Sequence, residues 1–415
     1  MSSLMDKLNK VASTKEALRV TINTLNNSEV LSTEAKFDTY PNFIIIPPKT
    51  YTVRIDTTNS DPETACVYQD DAVGMTPGYA GWQNEPIIQS IKPCVLNNGS
   101  VVYYLNKDNY AQQENGSAAD LTGGAGDVMV EIPKIGYRLW NDGTYQYVSV
   151  TTDPAKANYC YYAHSLNSDG DCDKIYYGTY LGYITENNLY SRSGVSPTVN
   201  TNLIDFRTYA LNRGSGYSLE QFFPRTLMQC LYVVMYKNLN SQAALGQGYT
   251  SASAKANTGA TNSNTFCYGT QDNTIHVKFL GIEDFYGNLY SWLDGIYSDT
   301  SNLLTDYRNS QMIGSEHNFQ FSIPKGTSSN YSGYINKIMG TNTSGFTKDY
   351  NNNTDGTSST YFADYSWVIP GYFGYCGGAW NSGASVGAFC LNLCWGASVA
   401  GSTLGSRLVY KHLTS

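Results

Sequence analysis

From Tyr51 onward the chain is cut into short stretches that alternate apolar and polar side chains, as in Tyr51–Asp56, Val101–Leu105, Val128–Ile132 and Tyr145–Val150, with Gly, Asn and Asp between them. A period of two puts successive side chains on opposite faces, which is the pattern of half-buried strands joined by turns. Strands therefore dominate after Pro47-Pro48. One main interior helix is expected over Leu219–Asn238, with Ser218 as N-cap, Glu220 and Gln221 in the first turn and Pro224 still within it. Residues 240–274 and 325–360 are rich in Gly, Ser, Thr and Asn, have few apolar side chains to bury, and read as long surface loops.

Ahead of the two prolines the period changes. Leu4, Leu8, Val11, Leu18, Ile22 and Leu25 follow a 4-3 spacing in which only Lys15 interrupts the apolar slots, so this is a helical segment with one exposed seam. Ser13 and Glu16 form a capping box at which the helix restarts. The seam either packs on its own chain or meets copies of itself, and the reading leans to a homo-oligomer, with a trimer as one arrangement. At roughly 150 residues per domain, 415 residues make two or three units. The divisions expected are a helical segment over 1–30, a β-rich region over 31–130, and a larger unit over 131–415 that carries both long loops.

Charged residues make up only 14% of the chain, and their place is taken by Gly, 36 Tyr and uncharged polar side chains. A net charge of −8 argues against a phosphate-binding surface, so nucleic acid is not the expected ligand. The longest apolar runs, Phe43–Ile46 and Leu231–Met235, fall far short of the roughly 20 residues that cross a bilayer. Residues 1–10 lack the apolar core of a secretory signal, which implies a protein made in a cytoplasm and released, if at all, by lysis or within a particle. Nine scattered cysteines without a CxxC pair read as mostly reduced thiols.

Candidate chemistry is sparse. Asn167-Ser-Asp169-Gly-Asp171-Cys-Asp173 sets oxygen-bearing side chains at alternate positions, which suits either calcium or a solvated acidic turn. It lacks the closing Glu of an EF-hand loop. Cys376, Cys390 and Cys394 offer three soft ligands with His412 near in sequence, one short of a usual structural zinc set without that histidine. None of the four histidines lies in a nucleophile context, Glu283 and Asp284 are merely adjacent, and no phosphate-cradling glycine loop with lysine occurs. No catalytic constellation emerges. The stretch from Gly371 to Ser385 instead mixes Tyr and Trp with Gly, Ser and Asn, the composition of binding loops in which stiff aromatics anchor and small polar residues adapt. Within this region Trp367, Trp380 and Phe389 read as core, and Tyr372, Tyr375 and Trp395 as exposed.

Two segments carry a resemblance. Gly281-Ile-Glu-Asp-Phe-Tyr-Gly-Asn-Leu-Tyr-Ser-Trp-Leu-Asp-Gly295 resembles the GxxNxxGNxWEWxDG signature of phage tail proteins and of formylglycine-generating-enzyme-like C-type lectin domains. Cys376-Gly-Gly-Ala-Trp-Asn-Ser-Gly-Ala-Ser-Val-Gly-Ala-Phe-Cys-Leu-Asn-Leu-Cys-Trp395, running on to Gly405-Ser-Arg-Leu408, resembles the variable region of diversity-generating retroelement target proteins. Segments 64–75, 126–134 and 240–248 are similar to stretches common in phage tail proteins, so the likeness spans about 50–415.

The resemblance implies an α+β fold in which a C-type-lectin-like domain over 131–415 follows the β-rich region and the helical segment. It assigns Asn288, Trp292, Gly377, Gly378, Trp380, Gly405 and Arg407 to the scaffold. The displayed, ligand-touching set becomes Tyr372, Tyr375, Asn381, Ser382, Ser385, Asn392, Cys394 and Trp395. Adenine-directed change of Asn codons yields several of these residues, although not Trp395. Enzymes of the formylglycine-generating type carry paired cysteines after this glycine motif, whereas residues 381–387 hold none, so oxidase chemistry is not expected. The implied protein is a virion-associated adhesin made in a bacterial cytoplasm, with a bacterial surface protein or glycan and other tail proteins as partners, and no cofactor unless calcium binds. A tail or baseplate component without receptor role, a bacterially encoded diversified binder and a glycan-cleaving enzyme are the rivals.

Overall fold

The computed structural model describes residues 12, 15–20, 47–308, 319–326, 330–352 and 354–413. The chain forms two compact units, Met1–Pro48 and Lys49–Ser415. In the first, residues 12 and 15–20 are helical, Leu18 and Val20 are exposed, and Arg19 pairs with Glu16 at 2.7 Å. The other seam positions, Leu4, Leu8, Val11, Ile22 and Leu25, and the capping residue Ser13 lie outside the described residues.

The second unit is built mainly of three antiparallel-rich sheets. Strands Cys66–Asp70, Thr50–Asp56, Tyr145–Thr151 and Gly136–Asn141 lie side by side in a four-stranded sheet. A seven-stranded sheet runs Tyr217–Leu219, Leu408–Leu413, Cys172–Gly178, Asp127–Pro133, Lys92–Asn97, Ser100–Asn106 and Asn109–Gln113. The third sheet has eight strands, with Tyr290–Ser298, Tyr372–Cys376 and Leu391–Trp395 at its centre and Tyr365–Val368 and Tyr331–Tyr334 toward one edge. All four alternating segments singled out above are strands at nearly the expected bounds.

The division expected at 130/131 does not exist. It falls inside strand Asp127–Pro133, and strand Thr50–Asp56 pairs along its whole length with Tyr145–Thr151. Both sides of that boundary thus belong to the same sheets and the same core.

The interior helix spans Phe222–Tyr236, three residues later than expected. Ser218 does not cap it, because Tyr217–Leu219 is a strand paired with Leu408–Tyr410, and Gln221 takes the cap position. Pro224 sits in the first turn, where a missing N–H is harmless. Every side chain of the helix is buried, as its nearly all-round apolar sequence requires, and it packs against strands Tyr145–Thr151 and Tyr290–Ser298. The 240–274 and 325–360 stretches are more than surface loops. Ser241, Thr250, Thr258, Thr261, Ser344 and Thr347 are buried in them. Among these, Thr261 bonds the Glu283 carboxylate at 2.7 Å and Ser241 accepts from Ala388 N–H at 2.8 Å. Polar bonding orders these segments where apolar burial is lacking.

Candidate functional site

The 281–295 signature is a knot that holds the later chain in place. Asn288 adopts a left-handed backbone (φ 62°), which Asn tolerates better than most side chains. Its Oδ1 accepts from Ala256 N–H at 2.9 Å, and its Nδ2 donates to Ala256 O at 3.2 Å and to Asp284 Oδ2 at 2.8 Å. Its carbonyl accepts from Trp380 N–H at 3.0 Å, so a single residue ties the 246–258 loop, the turn and the late segment together. The other Asp284 oxygen contacts His276 Nδ1 at 2.8 Å, and the His276 ring stacks on Tyr249 at 4.5 Å. Burial opposes protonation of His276, but the carboxylates of Asp284 and Glu283 outweigh it and raise its pKa to about 9.

Arg407 is buried and donates to the carbonyls of Thr179, Glu283 and Asp284, closing the same turn from the far end of the chain. Asp294 forms a buried bidentate pair with Arg207, both bonds 2.8 Å. From the helix side, Arg225 lies 3.7 Å over the Phe285 ring and 3.5 Å from Glu220, which also takes the Tyr177 and Ser291 hydroxyls, while Gln229 donates to Ala388 O at 2.8 Å. Gly378 has φ 100°, and a Cβ there would lie 2.4 Å from Val386, so only glycine fits. Gly377, Gly405 and Trp292 are buried too, and Trp380 is half-buried.

On this frame one face of the central strands of the eight-stranded sheet turns toward the larger core, through Cys376, Leu391 and Leu393. Phe373, Tyr375 and Cys394 point the opposite way, into a smaller aromatic cluster with Trp292, Leu203 and Phe206. Tyr375 stacks on Trp395 at 4.9 Å and meets Tyr290 and Trp292 edge-on at 5.2 and 5.7 Å. Its hydroxyl lies 2.9 Å from Cys394 Sγ. Tyr290 OH in turn accepts from Ser382 Oγ at 3.3 Å, so the 380–385 turn is continuous with the aromatic cluster.

The expected exposure of Tyr375 is therefore corrected: it is 4% accessible. Asn392 and Cys394 of the displayed set are buried as well. The cause is strand geometry. Residues 372–376 and 391–395 pair with each other at the middle of a sheet, and the Tyr/Gly/Asn composition that suggested a loop does not override that. Asn392 uses its Oδ1 to accept from Trp367 N–H at 2.8 Å, joining two strands. Trp367 is the converse correction, since it was expected in the core and is 46% exposed. Ser366 and Val368 point inward, and alternation puts the residue between them outside. Phe389 is fully buried. Tyr372 is half-buried, and what remains uncovered is Asn381, with Ser382, Ser385 and Trp395 half-buried beside it, and Trp367 added.

The acidic segment is stitched to its own backbone. Asp171 accepts from the N–H groups of Leu166, Asn167 and Ser168, and Asp169 from Tyr161 N–H at 2.9 Å, while Asp173 is exposed. Among the described residues no group of three or more His, Cys, Asp or Glu converges as a metal site. All nine cysteines are free and buried. His164 is buried, accepts from Ile135 N–H at 3.2 Å, and is held to a pKa of about 3 by burial and then by Lys411 and Lys134. A polar cleft of about 270 Å³ bordered by Lys92, Tyr104, Lys107 and Glu114 shares no residue with the aromatic face. No described helix is long and apolar enough to cross a membrane.

No protein-family model and no curated protein matches the chain. Among solved structures, the Major Tropism Determinant M1 variant aligns over 89% of this chain and 74% of its own at 11% identity and a TM-score of 0.30. The P3c variant of the same protein gives 12% identity and 0.27. PvdO from Pseudomonas aeruginosa aligns over 69% of this chain and 95% of its own at 13% identity, with a TM-score of 0.27. At these scores no residue correspondence is carried across.

Proposed function

We propose that this protein is a binding protein of the adhesin kind, carried on a phage particle, which presents the face around Trp367, Asn381, Ser382, Ser385 and Trp395 to a bacterial surface ligand. One observation carries the reading: aromatic and small polar side chains stand uncovered on a sheet and turn whose backbone is over-determined from behind by Asn288, Arg225 and Arg407. Such a frame tolerates exchange of the outer side chains, and pre-ordering them lowers the entropy cost of binding. The resemblance of segments 281–295 and 376–408 to tail and retroelement-diversified proteins supports the same reading. Turnover is not part of the proposal. Assembly as a homo-oligomer, partly through the helical segment near residue 18, would add avidity on a particle.

The test is competition. Soluble full-length protein should block adsorption of the particle to its host, and the double variant Trp367→Ala, Trp395→Ala should lose at least about ten-fold in binding, as aromatic anchors do. Unchanged competition by that variant would defeat the proposal. The neighbouring DNA provides a second check, since a diversified segment requires a near-copy of the codons for 371–408, differing at adenines, beside a reverse transcriptase gene.

A further inference from the structure

The four-stranded sheet has a second face whose composition the adhesin reading does not use. Its inner side chains, Tyr51, Val53, Ile55, Tyr137, Leu139, Val148 and Val150, all enter the main core. The outer face divides into two ends. At one, Thr52, Ser149 and Thr151 are covered by the 152–161 loop, with Tyr159 OH 2.7 Å from Ser149 Oγ and Lys156 Nζ 2.6 Å from Thr50 Oγ1. At the other end the face is uncovered. There Val67, Arg54, Tyr147 and Trp140 stand opposite one another in register across all four strands, exposed or half-exposed, with Tyr145 and Arg138 on the adjacent rows.

These groups are organised. Trp140 and Tyr147 stack at 4.6 Å with their planes 2° apart. The Arg138 guanidinium lies 4.3 Å over Trp140 and that of Arg54 4.3 Å over Tyr145. Among the described residues neither arginine has a carboxylate within ion-pair distance, and Arg54 Nε is a buried donor with no partner. The carboxylates nearby accept hydrogen bonds from neutral groups and keep their charge, but none of them pairs with either arginine. Asp142 takes Tyr147 OH and Tyr145 N–H, Asp56 takes Thr58, and Asp70 takes Thr52 Oγ1. Rings therefore hold two guanidinium groups in fixed orientation with donor capacity left over, on a chain whose net charge is −8.

We infer that this row is a second binding site, for an anionic saccharide chain. Guanidinium forks match carboxylate or phosphate oxygens, and the rims of the stacked Trp140 and Tyr147 rings offer apolar contact to the C–H groups of a sugar. The row crosses three strand spacings, about 14 Å, which accommodates a short run of a linear polymer. It is too narrow to supply by itself the roughly 800 Å² per partner of a standard protein interface. The site lies on a different sheet from the Trp395 face and shares no residue with it, so the two can fail independently.

Immobilised polygalacturonate, poly(glycerol phosphate) and dextran serve as probes for the full-length protein. Wild type should bind polygalacturonate in a salt-sensitive way, poly(glycerol phosphate) more weakly because it has no rings, and dextran least. The double variant Arg54→Gln, Arg138→Gln should lose at least about ten-fold on polygalacturonate, in keeping with two charge-assisted contacts, with its thermal midpoint unchanged. Trp140→Phe, which keeps a ring, should retain more binding than Trp140→Ala. Equal binding of wild type and the arginine variant would overturn the inference. So would equal binding to dextran, or a wild-type self-association that the arginine variant abolishes, which would assign the row to a second copy of the chain.

Discussion

Tyr375 and Trp367 exchange the roles their sequence context implies, and the exchange is measurable. Tyr375→Ala removes a buried ring wedged among Tyr290, Trp292 and Trp395, so it should cost about 3–5 kcal/mol in chemical denaturation, the range of large core aromatics. Trp367→Ala takes an exposed ring off the outer face and should stay within about 0.5 kcal/mol of wild type in the same assay. The framework residues were read from the resemblance of segments 281–295 and 376–408, not from local pattern, and Arg407 is held by carbonyls more than 120 residues away. Asn288 and Gly378 need left-handed backbone, and Arg407 and Trp292 are large groups in a dense motif. The displayed residues were read less well, because Tyr, Gly, Asn and Ser favour a loop by composition while Tyr372–Cys376 and Leu391–Trp395 obey the alternation of paired strands. Alternation puts Tyr375 and Trp367 on the same side of that sheet, and what separates them is cover: Tyr290, Trp292 and Trp395 close over Tyr375, while Trp367 stands uncovered nearer the sheet edge.

Between elements, buried ionic pairs link helix to strand and turn to turn. Arg207 comes from helix Leu203–Leu211 and Asp294 from strand Tyr290–Ser298, both almost fully buried, so Asp294→Ala takes the bidentate carboxylate away from a buried guanidinium and should destabilise by about 3–5 kcal/mol, read as a drop in the denaturant midpoint. The His276–Asp284 pair adds a pH dependence. A histidine raised from 6.5 to about 9 binds its proton more tightly in the folded state. Its contribution is complete below pH 6.5 and is lost as pH rises through about 9. Thermal midpoints should therefore decline over that window, and His276→Gln should flatten the decline. Strands and the interior helix were visible in the sequence, whereas the start of the helix was not. Tyr217–Leu219 becomes a strand only because Leu408–Tyr410 pairs with it, and no local pattern reports a partner so distant in the chain.

At the scale of the molecule, residues 49–415 form one unit rather than a β-rich region followed by a separate domain. Strand Leu408–Leu413 explains much of this, for it lies between Tyr217–Leu219 and Cys172–Gly178 inside the seven-stranded sheet, with buried Lys411 donating to Ser165 O and Tyr307 O. A chain stopped at residue 406 would lack an interior strand and should fail to give a cooperative unfolding transition by circular dichroism. The 377–407 stretch, which bears Asn381, Ser382, Ser385 and Trp395 of the proposed binding face, is thus clamped at both borders, at Tyr372–Cys376 before it and at Leu408–Leu413 after it. That arrangement acts as a proofreader for any process that rewrites the stretch: a premature stop or a slipped reading frame forfeits the last strand and yields no folded product, and only in-frame exchanges of single side chains reach the outside.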